Sequence, residues 1–93
     1  MLSDTTKIHL IKQLEVSDLS GEKVMIDFST GKYFLLKGSA NDIWDMLSED
    51  ITIGEIKDSL MKIYDVDDET CSASVNSFIL QMQKNGFVEL QNN

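Results

Sequence analysis

The sequence predicts an α+β fold in which a three-stranded antiparallel sheet is followed by three helices. Apolar and polar residues alternate in the first third of the chain, and apolar residues then recur at spacings of three and four. The 93 residues, 42% of them hydrophobic, suffice for one core. We therefore expect a single domain over residues 1–93, with strands over about 6–36, helices over 39–86 and a tail over 87–93.

The three predicted strands form a meander. Residues 8–10 place His9 between two aliphatic residues, and residues 24–28 alternate in the same way after a turn at Ser20-Gly21. Gly31 can take a positive φ in the next connection. Residues 33–36 are apolar on both faces. The first and third strands are predicted to be the edges of the sheet.

Capping signals set the starts of the three helices. Ser39 and Asp42 resemble an N-cap pair, and Thr52 with Glu55 forms a capping box. The acidic run 65–69 precedes the third helix, where negative charge is favourable. Asn85-Gly86 is typical of a helix end.

Charge disfavours binding to nucleic acid. Sixteen acidic and eight basic residues give a net charge of −8, and the chain has no arginine among its scattered basic residues. A nucleic-acid binder normally carries a basic stripe that neutralises phosphates. A winged-helix transcription regulator is therefore only an alternative interpretation, and it would need a basic recognition helix where the third helix carries Lys84 alone.

Residues for catalysis or metal binding are sparse. The single histidine and single cysteine, His9 and Cys71, are too far apart in sequence to indicate a zinc site. The acidic run 65–69 does not fit a calcium loop, because Thr70 and Asn76 stand where glycine and glutamate are needed. We predict no enzyme, no catalytic residue, no metal site and no cofactor.

The triplet Asp58-Ser59-Leu60 resembles the phosphopantetheine attachment site of acyl carrier proteins. Here the triplet lies inside a helix that begins near Thr52, whereas the serine of a carrier lies at a helix start. The strand-rich first third also disagrees with an all-helical carrier. An acyl-carrier-like protein is the less favoured alternative.

The free edge of the third strand, residues 32–36, is an aggregation hazard unless it is covered or used. Helices and a neighbouring loop could cover it. Alternatively, the edge could accept an extended peptide by strand addition, with adjacent pockets giving specificity.

The expected location is cytoplasmic. The chain opens without a basic region or an apolar run typical of a signal peptide, and no segment has the roughly 20 apolar residues of a membrane helix. The lone Cys71 has no partner for an internal disulfide, which fits a reducing compartment.

Several segments in order resemble the PqqD family. One departure is Lys37, where the family often has asparagine. The segments run over most of the chain: 31–36, Ala40 with Ile43 and Trp44, Thr52 to Ile56, 64–66 and Leu80 to Val88.

The resemblance implies a winged helix-turn-helix-like fold that binds peptides instead of DNA. Such domains serve as recognition elements for ribosomally made, modified peptides, including lasso peptides. The expected partners are the leader region of a precursor peptide and a peptidase or other modifying enzyme of the same pathway. The leader would lie antiparallel to the third strand, in a cleft walled by the third helix.

Nine residues are the predicted peptide-binding site. The third-helix stripe Cys71, Val75, Phe78 and Met82 is assigned to the core, so the flank one residue further on is assigned to the cleft. Ile79 is expected to be partly exposed there, although it could instead only widen the buried face. The predicted site comprises Lys32, Tyr33, Phe34, Leu35, Leu36, Ser72, Asn76, Ile79 and Gln83.

Overall fold

The computed structural model describes residues 2–12, 14–20, 22–36 and 38–91. Three sequence observations fall outside these ranges: the glycine of the predicted Ser20-Gly21 turn, the family departure at Lys37 and the last two residues of the predicted tail.

The described part of the chain contains three helices and six short strands. In chain order they are β1 (Lys7–Leu10), β2 (Glu15–Leu19), β3 (Glu22–Asp27), β4 (Lys32–Leu36), α1 (Ser39–Met46), β5 (Ile51–Thr52), α2 (Ile53–Ile63), α3 (Asp68–Lys84) and β6 (Val88–Gln91).

The strands form two antiparallel three-stranded sheets, with orders β2-β3-β4 and β5-β1-β6. The α+β class is confirmed, but the predicted content of the meander is wrong. Its first strand is β2, which the sequence pattern does not predict, and the predicted first strand, β1, lies in the other sheet. The partners of β1 come from distant parts of the chain, as in the pairs Ile8↔Ile51 and Ile8↔Leu90, so local alternation could not reveal them.

The predicted tail is a strand of the second sheet. Phe87 and Val88 are buried, and β6 pairs with β1 along its whole length, with Leu10 opposite Val88. Phe87 and Val88 therefore belong to the core, and Leu90 packs against it.

Helix capping follows the sequence in two of three cases. Thr52 Oγ1 accepts a hydrogen bond from the Glu55 N–H at 3.2 Å, and the Glu55 carboxylate accepts one from the Thr52 N–H at 3.0 Å, which confirms the capping box. Asp67 caps α3 by accepting from the Thr70 N–H at 2.7 Å. The predicted cap of α1 is wrong: Gly38, at φ 57°, occupies the N-cap position and makes no side-chain cap.

Two charged groups join separate elements. Lys12 lies in the connection between β1 and β2, and its ammonium group donates a hydrogen bond to the buried carboxylate of Asp27 at 2.8 Å. Lys57 of α2 is buried and donates to Asp4 at 2.9 Å, and it lies 3.0 Å from Asp68 at the start of α3. The first pair fixes the β2-β3-β4 sheet against β1, and the second cluster fixes α3 against α2.

Candidate functional site

Strand β4 is the edge of its sheet. It pairs with β3 on one side, from Asp27↔Lys32 to Lys23↔Leu36, and among the described strands none pairs with its other side. The hairpin between β3 and β4 is closed by the Gly31 N–H, which donates to the Asp27 carbonyl at 2.8 Å, with Gly31 at φ 73°. The edge predicted for the third strand is therefore present, and it retains main-chain groups that can pair with another strand.

A groove of about 470 Å³ lies between β4 and α3. The start of α1 contributes one small residue to its wall. No residue that lines the groove carries a charge, so an apolar ligand with main-chain hydrogen-bonding groups suits it. The lining residues are Tyr33, Phe34, Leu35, Leu36, Ala40, Phe78, Gln81 and Met82.

The side chains of β4 alternate between two environments. Leu36 is buried, and Phe34 is half-buried with its ring packed edge-on against Phe87 at 5.2 Å between centroids. Tyr33 and Leu35 are 74% and 46% exposed. Packing therefore holds the inward residues of the edge in place, while the outward ones remain accessible.

Phe78, Gln81 and Met82 are the residues of α3 that line the groove. The expectation that Ile79 is partly exposed is wrong, because Ile79 is 0% exposed and belongs to the core. Phe78, assigned to the core from sequence, is instead half-buried at the groove.

The predicted flank of α3 faces away from the groove. At about 100° of rotation per residue, Ser72, Asn76 and Gln83 project from the opposite side of the buried stripe to Phe78 and Gln81. None of the three lines the groove, nor does Lys32. The structure therefore brings together Tyr33 to Leu36 from the predicted site, with a different face of α3. Cys71, Val75 and Met82 have Ile79 on one side and Phe78 on the other. The apolar pattern therefore gave no signal to choose between the two flanks of α3.

The residues considered for catalysis lie away from this groove. His9 is at the surface, where a 2.7 Å contact with Asp50 raises the pKa of its imidazole. Burial raises the pKa of the Cys71 thiol, which makes it a poorer nucleophile. Ser59, the serine of the carrier-like triplet, lies in the interior of α2.

Within the described ranges, no group of three or more His, Cys, Asp or Glu side chains is arranged to hold a metal ion. None of the described helices has the length and apolar character needed to cross a membrane.

An open strand edge beside an apolar groove defines a class of small α+β domains that can take up an extended segment as an added strand. The family model for coenzyme PQQ synthesis protein D (PqqD) matches residues 22–88, which include β3, β4 and all three helices. The chain belongs to the PqqD family.

A solved structure described as TbiB1 in complex with the TbiA(beta) leader peptide has the same fold. The TM-score is 0.77 at 24% sequence identity, over 91% of this chain and 99% of that one. The comparison with curated proteins gave no match.

Proposed function

We propose that this chain binds the leader segment of a ribosomally synthesised precursor peptide and presents it to the enzymes that modify or process it. The observation that carries the proposal is the unpaired edge of β4 beside the apolar groove formed with α3. Membership of the PqqD family supports it, as does a fold shared with TbiB1, whose structure contains a leader peptide.

The bound leader adds a strand to β4. Each main-chain hydrogen bond to the edge contributes about 0.5–1.5 kcal/mol net, so a few such bonds do not give tight binding alone. Apolar side chains seated against the partly buried Phe34 and Phe78 supply the rest. We expect micromolar or tighter affinity, on the order of −8 kcal/mol.

Alternation along the added strand defines the sequence that is recognised. Successive side chains of the leader point to opposite faces, so every second residue enters the groove. Because the groove has no charged lining residue, those alternate positions should be apolar. The remaining positions lie beside Tyr33 and Leu35, which line the groove but are largely exposed, and tolerate polar residues.

The role is non-catalytic and cytosolic in this proposal. The partner enzyme, a peptidase or another modifying enzyme of the same pathway, acts on the segment of the precursor beyond the leader. Holding the leader in the groove raises the local concentration of that segment for the enzyme.

The test is a calorimetric titration of the domain with the synthetic leader of the precursor peptide encoded beside its gene. Lasso-peptide pathways, one of the kinds that the family resemblance covers, are the first place to look for that leader. Heat of binding with micromolar affinity is expected. No heat at high micromolar concentrations would refute leader binding.

A pair of proline variants tests strand addition itself. Neighbouring residues of an edge strand point their N–H groups alternately inward to the sheet and outward. Of Phe34→Pro and Leu35→Pro, the variant that loses an outward N–H should abolish leader binding and keep the urea midpoint, while the other should destabilise the domain. If the proline variant that keeps its urea midpoint binds the leader with unchanged affinity, the leader does not add to β4.

A further inference from the structure

A second cavity, of about 250 Å³, lies near the groove. Its walls come from the end of α2, the loop to α3, the first turns of α3 and the start of α1. The residues that line it are Ser39, Leu60, Tyr64, Val66, Thr70, Cys71 and Ser74. None of them is charged, and the volume is below the roughly 300–1,000 Å³ of small-molecule sites. Its size suits one large side chain rather than a cofactor.

Two helices, α1 and α3, contribute to both the cavity and the groove. Ser39 lines the cavity and Ala40, the next residue of α1, lines the groove. On α3, Ser74 lines the cavity and Phe78 lines the groove, one helical turn or about 6 Å further along the same face. An extended peptide covers that distance in about two residues.

The path from one to the other passes the end of β4. Gly38 follows β4 with φ 57°, and no described atom outside its chain neighbours lies within 4 Å of where a Cβ would be. The backbone at Gly38 is therefore open to the approach of a peptide. Ser39, the residue after Gly38, lines the cavity, so a peptide strand on β4 that continues towards the start of α1 would approach it.

The walls of the cavity are held in a fixed position. The hydroxyl of Tyr64, at the end of α2, donates a hydrogen bond to the Asp42 carboxylate of α1. This contact raises the pKa of the Tyr64 phenol. Leu60 and Cys71 are buried in the core beneath it. The aromatic ring is thus tied to α1, and the cavity is formed before any ligand binds.

We infer that this cavity is a specificity pocket for one apolar side chain of the same leader peptide, contributed by a residue just beyond the segment paired with β4. The inference rests on the proposed leader binding. A pocket of this kind would let the domain distinguish leaders with similar strand-forming segments. It would bind the side chain of a leader residue that the β4 edge does not contact.

The test fills the pocket and scans the peptide. Each residue of the synthetic leader encoded beside the gene is replaced in turn by alanine, and calorimetry gives Kd values for the wild type and for Ser74→Phe. In the wild type, one position outside the β4-paired segment should cost about tenfold or more when truncated, as for one buried aliphatic side chain. In Ser74→Phe the full leader should bind about tenfold more weakly, and the same truncation should then have no further effect.

Ala73→Phe is the matched control. It places the same ring on the neighbouring exposed residue of α3, about 100° away from the pocket, and should bind every peptide like the wild type. Val66→Asp, at a 38% exposed pocket residue, serves as a second variant should Ser74→Phe not fold. If wild type, Ser74→Phe and Val66→Asp all bind the full leader equally, the pocket inference is wrong while leader binding stands. If the wild type does not bind the leader at all, the proposed function fails and the pocket inference fails with it.

Discussion

Phe78 and Ile79 are adjacent in α3, and the turn of the helix gives them different surroundings. Ile79 is fully buried among core residues, whereas Phe78 is half-buried and lines the groove. A residue without exposed surface cannot contact a ligand unless the core opens. Stability and binding should therefore respond separately to changes at these two positions.

Ile79→Ala should lower the free energy of unfolding by about 2–5 kcal/mol, as expected for a truncated aliphatic side chain in a packed core. The leader affinity of the folded fraction should be unchanged. Urea unfolding followed by the fluorescence of Trp44, the single tryptophan, measures the first effect, and calorimetry measures the second. A large loss of affinity at unchanged stability would place Ile79 in the binding site after all.

Asp27 makes stability depend on acid pH. Two hydrogen bonds hold the pKa of the buried Asp27 carboxyl well below its usual range. The larger effect comes from the Lys12 ammonium group and the smaller from the Ser29 hydroxyl. A carboxyl with a depressed folded pKa stabilises the fold above its unfolded pKa of about 3.9 and loses that contribution as the pH falls towards the folded value.

Asp27→Asn should therefore lower the urea midpoint at pH 7, and the difference from wild type should begin to shrink only below about pH 4. Asp58→Asn, at an exposed position of α2, is the control and should leave the urea midpoint nearly unchanged both at pH 7 and below about pH 4. A difference at Asp27 that stays constant from pH 7 to pH 2 would contradict the role of the Lys12–Asp27 pair.

At the scale of elements, α3 has one buried stripe and two flanks with different roles. The flank with Phe78 and Gln81 faces β4, and the flank with Ser72, Asn76 and Gln83 lies outside the groove. Leu80, opposite the buried stripe, is 49% exposed. Strand β4 is equally two-sided, with Leu36 in the core and Tyr33 exposed. The groove exists because these two elements meet across the start of α1.

Phe78→Ala should weaken leader binding by about 1–3 kcal/mol, because it removes an apolar wall of the groove. Leu80→Ala is the matched control: it truncates an apolar residue of the same helix outside the groove and should leave the affinity unchanged. Calorimetric titration of both variants with the same leader measures the difference. Equal effects of the two substitutions would show that the groove beside β4 is not where the leader binds.

At the scale of the whole molecule, the net charge of −8 and the absence of arginine limit the partners. Phosphate contacts from lysine and arginine supply essentially all non-specific affinity for DNA. The cationic groups at Lys12 and Lys57 are already paired with carboxylates within the fold. The domain therefore repels a polyanion while its uncharged groove remains available to a peptide.

Duplex DNA should not be retained in a gel-shift experiment at physiological salt with the domain at about 100 µM, where weak non-specific binders are detected. The domain bound to its leader should behave in the same way. Salt-sensitive retention of a specific duplex would revive the interpretation as a winged-helix regulator.

The sequence predicted the three helices, the capping box at Thr52, the strands over 24–28 and 33–36, and the family. These features depend on local patterns: apolar spacing, caps and turn residues. The strand β2 was missed because Ser17 and Asp18 weaken its alternation, and the sheet of β1 was missed because its partners β5 and β6 are far away in sequence.

The sequence by itself determined which residues are apolar, where α2 and α3 begin and that β4 has apolar residues on both faces. Only the tertiary structure decided which flank of α3 meets β4, because a buried stripe looks the same from either side until its neighbours are in place. As a result, Phe78 lines the groove, and Ile79, which the sequence pattern had placed there, is buried in the core. It also created the pocket at Ser74, whose walls come from four separate segments and leave no pattern in any one of them.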